Sequence, residues 1–182
     1  MMKLSRDEII EKTIVYANQY GWAKTSVREI SKEIGYSTIK IYSEFGDKDQ
    51  LLQEIQKKGF RLLRDEYVMA TLSKENPEEQ LIEICLAHYR FALKHSRYYE
   101  LMFSQNNSLC KSISPEILTQ AAEPVKSVIG KIASSKNIVH FLHWFSLVHG
   151  FYEVAHKNLS KKEKEAEKVL EDIIHNFIKG IK

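Results

Sequence analysis

The chain has 182 residues, of which 43% are hydrophobic and 28% charged, a balance that suits a globular protein of one or two packed lobes and excludes disordered and fibrous classes. No run approaches the ~18 uninterrupted apolar residues of a membrane span, and the acids Asp7 and Glu8 stand where a secretory signal needs an apolar core, so the expected location is cytoplasmic. The formal net charge of +3 is too small to argue for a polyanion partner, and through residue 50 eight Lys and Arg cancel eight Asp and Glu, so a nucleic-acid role has to rest on where single charges sit.

Apolar residues recur at i, i+3 and i+4 almost throughout, which predicts an all-α fold. Ser5 with Glu8 reads as a capping box for a first helix with Ile9, Thr13, Ile14, Ala17 and Tyr20 on one face and Gly21 as its left-handed stop. Ser26 with Glu29 opens a short second helix carrying Val27, Ile30 and Ile34 and ending at Gly35. Ser37 can cap a third, with Ile41, Tyr42 and Phe45, before Gly46. Asp47 with Gln50 begins a long fourth helix through Leu51, Leu52, Ile55, Leu62 and Leu63. Asn76-Pro77 starts a fifth, running through Leu81 to His95. A short aromatic helix over 96–104 and a polar loop over 105–112 follow. Ser114-Pro115 starts a further helix that Pro124 should kink or end. A long aromatic helix covers 137–158, and Ser160 with Glu163 caps a last one to about Ile178. Cys85 and Cys110 match no metal or redox spacing and read as reduced thiols in packed helices.

Helices two and three have the makings of a helix-turn-helix over residues 26–45. Such a motif needs a small residue at the crossing, here Ser31, a tight turn, here Gly35, and apolar side chains beneath, here Ile30, Ile34, Ile41 and Phe45. That leaves Ser37, Thr38, Lys40 and Ser43 outward as donors to base edges or phosphates. Lys48 brings a positive charge and open backbone amides to the next helix start, and Thr25, Ser26 and Arg28 do the same for the bracing helix.

The run TSVREISKEIGYSTIKIYSEFGDKDQLL, with IIEKTIVYANQYGWAKT before it, resembles the DNA-binding domain of TetR-family regulators over about residues 5–52. Tyr42, Phe45, Lys48 and Leu51 match that family's pattern in residue and spacing. The resemblance implies phosphate contacts from Tyr42 and Lys48, backbone contacts near Thr25 and Ser26, and groove contacts from Ser37, Thr38 and Lys40. Ile39 stands where the family usually has a small residue or proline, and Lys40 where it often has Thr or Ser. Glu44 on the same helix repels phosphate unless it accepts from a cytosine amino group or pairs with a lysine.

Division into a DNA-binding domain at 1–50 and a helical effector-binding and dimerisation domain at 51–182 is expected. In the second, HFLHWFSLVHGFYEVA contains Trp144, His149 and Gly150, similar to a signature of one TetR subgroup. His88, Phe91, Met102, Trp144 and His149 are the candidate walls of a pocket for an apolar or aromatic effector, because each joins apolar bulk to a polar or soft edge. An aromatic core explains most of these residues equally well. Ala166, Val169, Leu170, Ile173 and Phe177 line one side of the last helix, as half of an intersubunit bundle would need, and a homodimer reading a near-palindromic operator is expected. Repression is the commoner mode in the family.

The rival readings are a helical metal-binding protein and a partner-binding protein without a DNA role. Glu153 with His156 and Asp172 with His175 have a di-metal spacing, but no inward Glu pair accompanies them. His140 and His143 lack a third ligand. The lysines of 157–168 alternate with Glu163, Glu165 and Glu167, the pattern of a solvated helix. No cofactor, metal or enzymatic activity is expected.

Overall fold

The computed structural model describes residues 4–103, 114–133, 138–158 and 162–182, and every regular element among them is helical. Ser5 caps α1 (Arg6–Tyr20) as expected: its hydroxyl accepts from the Glu8 amide at 3.2 Å, and the Glu8 carboxylate accepts from the Ser5 amide at 2.7 Å. The α1 face is buried except for Tyr20, which is exposed and lies against Tyr16, ring centroids 4.6 Å apart. Ile10 and Tyr16 are buried instead. The reason is that α1 packs on both α2 (Val27–Ile34) and the later α6 (Ser96–Phe103), so apolar cover is needed on two sides.

A single 3-10 turn (Trp22–Lys24) joins α1 to α2, and α3 (Thr38–Phe45) follows. Helix α4 (Lys48–Leu72) starts where Asp47 Oδ1 accepts from the Gln50 amide at 2.8 Å. Helix α5 (Pro77–Lys94) starts where Asn76 Oδ1 accepts from the Glu78 amide at 2.8 Å. The remaining elements are α7 (Pro115–Ile132), α8 (Ile138–Asn158) and α9 (Glu163–Ile181). Pro124 does not end α7, which continues to Ile132. A proline inside a helix removes one amide donor and costs about 3 kcal/mol or more. Burial of Ala121 before it and of Val125, Val128 and Ile129 after it offsets that loss. Ser104, the loop expected over 105–112, Cys110 and Ser160 lie outside the described residues.

The chain packs as two compact units, Met1–Phe60 with His95–Ser114, and Arg61–Lys94 with Pro115–Lys182. This grouping departs from a cut at residue 50, because α6 joins the N-terminal helices. Trp22 Nε1 donates to the Arg97 carbonyl at 3.0 Å, Gln56 Nε2 donates to the Leu101 carbonyl at 3.1 Å, and Met102 and Tyr98 close over Gly59. A Cβ at Gly59 would meet Met102 Sδ at 2.6 Å, so the absence of a side chain there sets how near α6 can lie.

In the second unit α5 packs against α7, α8 and α9. Arg90 grips Glu167 of α9 through two hydrogen bonds of 2.6 and 2.9 Å, and that contact holds the Glu167 carboxyl below its ordinary value. Along α9 the buried stripe advances in fours, Ala166, Leu170, Ile174 and Ile178. Val169 is exposed, and Ile173 and Phe177 are half-buried. The face expected to be one seam is thus two: an internal stripe and an outer edge.

Candidate nucleic-acid interface and ligand pocket

Helix α2 ends at Gly35, whose φ of 64° and ψ of 33° lie in the left-handed region that favours glycine. The Tyr36 amide returns to the Ser31 carbonyl at 3.0 Å, while the Ser31 hydroxyl donates to the Tyr36 carbonyl at 2.5 Å. Ser31 therefore provides the small residue at the crossing and also clasps the turn. Beneath, Ile30, Ile41 and Phe45 are buried and Ile34 is half-buried. This is the helix-turn-helix arrangement, α2 bracing α3.

Arg6 fixes the far end of α3. Its guanidinium donates to the Glu44 carbonyl and sits 4.5 Å from the Phe45 ring centroid. No sequence motif singles Arg6 out, since the contact spans 38 positions. Glu44 lines a polar cleft of about 390 Å³ together with Arg6, Asp47, Glu54 and Lys57.

The candidate DNA contacts differ in what they can still donate. Arg28, Lys40 and Tyr42 are exposed, Ser26, Ser37, Thr38 and Lys48 half-buried, and Thr25 buried. Ser26 accepts from the Glu29 amide at 3.2 Å and keeps its own hydroxyl hydrogen for a phosphate, though the reciprocal half of the expected capping box is missing. Ser37 occupies the cap of α3 without a side-chain capping bond, so its hydroxyl is uncommitted among the described residues. Lys40 carries its ammonium 5.4 Å from the Tyr36 ring centroid. Thr25 differs from the rest: its hydroxyl donates to the Gly21 carbonyl at 2.9 Å and its amide to the Trp22 carbonyl at 3.0 Å. A phosphate oxygen only accepts, so Thr25 has no donor left for one. Near Lys48, the Asp47 carboxylate has likewise taken the Gln50 amide from those open to an anion.

The five candidate pocket residues are divided between the two units. Met102 belongs to the first unit, over Gly59. His88, Phe91, Trp144 and His149 are in the second, the first three buried and His149 half-buried. His88 sits in packed core: the Tyr67 hydroxyl lies 2.5 Å from its Nδ1, and Trp144 meets it edge-on at 5.9 Å. Trp144 Nε1 donates to Cys85 Sγ at 3.0 Å, and burial pushes that thiol's pKa up. Burial, with a smaller effect of His149, pushes His88 down to about 3, so the imidazole is neutral. The second unit also has a groove of about 760 Å³ lined by Arg64, Val68, Thr71 and Leu72 of α4 and Thr119, Gln120, Glu123, Pro124 and Ser127 of α7. Its residues alternate with core positions along two helices, a pattern with no sequence signature.

The metal alternative has no geometric support among the described residues, which contain no group of three His, Cys, Asp or Glu able to hold an ion. Glu153, His156, Asp172 and His175 are all exposed. No described helix is long and apolar enough to cross a membrane.

Residues 9–55 match the family model described as bacterial regulatory proteins, tetR family. The chain has no match among curated proteins. Solved structures share the fold at low identity. One, a protein of unknown function from Rhodococcus sp. RHA1, has 16% identity and a TM-score of 0.83 over 99% of this chain and 96% of that one. The TetR-family regulator PfmR from Thermus thermophilus has 19% identity and a TM-score of 0.70 over 97% and 100%. A single-substitution variant of TetR from Acinetobacter baumannii AYE, solved with minocycline, has 14% identity and a TM-score of 0.69 over 98% and 96%. With its second and third helices set in helix-turn-helix geometry, the chain matches the bacterial TetR family at residues 9–55 and has the fold of that family's solved transcriptional regulators.

Proposed function

We propose that the protein is a homodimeric, effector-responsive transcriptional repressor that reads a near-palindromic DNA operator through α3. The observation that carries this reading is the set of polar side chains at the helix starts of the first unit: Ser37 at the cap of α3 and Thr38, Lys40 and Tyr42 on it, with Ser26 and Arg28 at the start of α2 and Lys48 at the start of α4. In this reading Tyr42, Lys48, Ser26 and Arg28 take phosphates, and Ser37, Thr38 and Lys40 face the groove. The second unit pairs two copies through the apolar outer edges of α8 and α9, where Leu142 and Val169 are exposed. A small apolar or aromatic effector binds the second unit and weakens operator binding. The groove between α4 and α7 supports this, since about 760 Å³ lies within the size range of small-molecule sites.

Duplex binding measured from about 50 to 200 mM salt tests the core of the reading. With six to ten phosphate contacts per dimer, affinity should fall by about 10³ to 10⁵ over that range. Arg28→Ala and Lys48→Ala should each reduce the salt slope by about one per protomer. Affinity indifferent to salt would rule out phosphate recognition, and screening apolar compounds for release of bound operator tests the effector.

A further inference from the structure

Ile39, 78% exposed, is the most exposed large apolar side chain among the described residues, and it sits in the first turn of α3. Ile41 and Phe45 mark the inward direction of that helix, both buried. At 100° per residue, Ile39 lies about 140° from their mean, and Ser43, one turn on, lies directly opposite them. The Ser43 hydroxyl donates to the Lys40 carbonyl at 2.8 Å, so its donor is already committed. The middle of the outward face is therefore an isoleucine backed by an internally bonded serine. Ser37 at the helix cap and the exposed Lys40 and Tyr42 flank it along the chain.

We propose that Ile39 is a specificity-determining residue that packs on the 5-methyl group of thymine, so that each operator half-site carries a thymine at the position facing it. The proposal rests on the DNA-reading function above. In the major groove the thymine methyl is the one apolar feature a base pair offers, and an isoleucine has nothing to exchange with the donors and acceptors of the other bases. The cations Arg28 and Lys48 hold the helix against phosphates, and that approach removes Ile39 from water. A G·C pair at that position instead leaves a polar edge against the isoleucine without a partner.

The test uses the full-length protein and a duplex selected by it from a random pool. Uracil replaces thymine one position at a time, which deletes only the methyl. One position per half-site should then weaken binding about fourfold per methyl removed. Ile39→Val should retain that discrimination, and Ile39→Ala should bind thymine and uracil duplexes alike while keeping the wild-type salt slope. If the selected half-sites lack thymine, or uracil is tolerated at every position, or Ile39→Ala discriminates as well as wild type, the assignment to Ile39 is overturned while salt-dependent operator binding stands. Loss of salt dependence in the wild-type protein would overturn the DNA reading itself, and this inference with it.

Discussion

His88 shows how a single side chain can make the stability of this protein respond to pH. Its imidazole is fully buried beside Tyr67 and Trp144, and its pKa is pushed down to about 3 by burial first and His149 second. Unfolding restores a value near 6.5. Between these two values the unfolded chain binds the extra proton, so stability falls as the solution is acidified. The contribution is whole above about pH 6.5 and is lost progressively toward pH 3, at about 1.4 kcal/mol per pH unit. Urea denaturation at pH 7.5 and 5.0 should show a loss of about 2 kcal/mol from this group in the wild type. His88→Gln, whose amide offers both a donor and an acceptor to the Tyr67 hydroxyl, should lack that part of the loss. Equal losses in the two proteins would assign the dependence to other groups.

Among the elements, α6 decides what the first unit is. Alanine is a better helix former than glycine by about 1 kcal/mol, so Gly59→Ala would stabilise an exposed helix. Here the new methyl meets Met102 Sδ at 2.6 Å and Tyr98 Cδ1 at 3.1 Å, and overpacking of that kind costs about 1–3 kcal/mol. The substitution should therefore lower the unfolding midpoint, and in a Met102→Ala background it should become neutral or stabilising. A raised midpoint in the wild-type background would mean that Met102 swings aside. The same helix marks the limit of what the sequence makes legible. Capping boxes and glycines act over three or four residues, and they locate α1, α2 and α3 and the turn between the latter two. The Gln56–Leu101 and Trp22–Arg97 bonds join residues 45 and 75 positions apart and have no local pattern. For the same reason residue type alone groups Met102 with side chains of the other unit, and gives no sign of Arg6. On α9 the apolar period is legible, but not which edge of it faces inward. At Thr25 the residue type suits a phosphate, and only the geometry reveals that its donors are spent.

At the scale of the whole molecule, the proposed pairing of two copies rests on apolar surface that each copy leaves uncovered. Leu142 on α8 is 52% exposed and Val169 on α9 is 41% exposed. Charged residues at both, Leu142→Asp with Val169→Asp, should shift the protein from dimer to monomer in sedimentation, because two desolvated carboxylates outweigh the burial of two aliphatic side chains. Operator affinity should fall with it, since two half-sites are no longer engaged together. Unchanged mass at micromolar concentration would move the dimer seam elsewhere.

The protein has two tryptophans, and the fold places one in each compact unit, Trp22 in the first and Trp144 in the second, both buried. Each unit thus contains its own intrinsic fluorophore. Trp22→Phe leaves emission that reports on the second unit alone, from an indole bonded to a thiol, and Trp144→Phe leaves emission that reports on the first. Melting curves from the two single-tryptophan proteins reveal whether the units come apart together or in sequence, which is the cooperativity on which any signal from effector to operator depends.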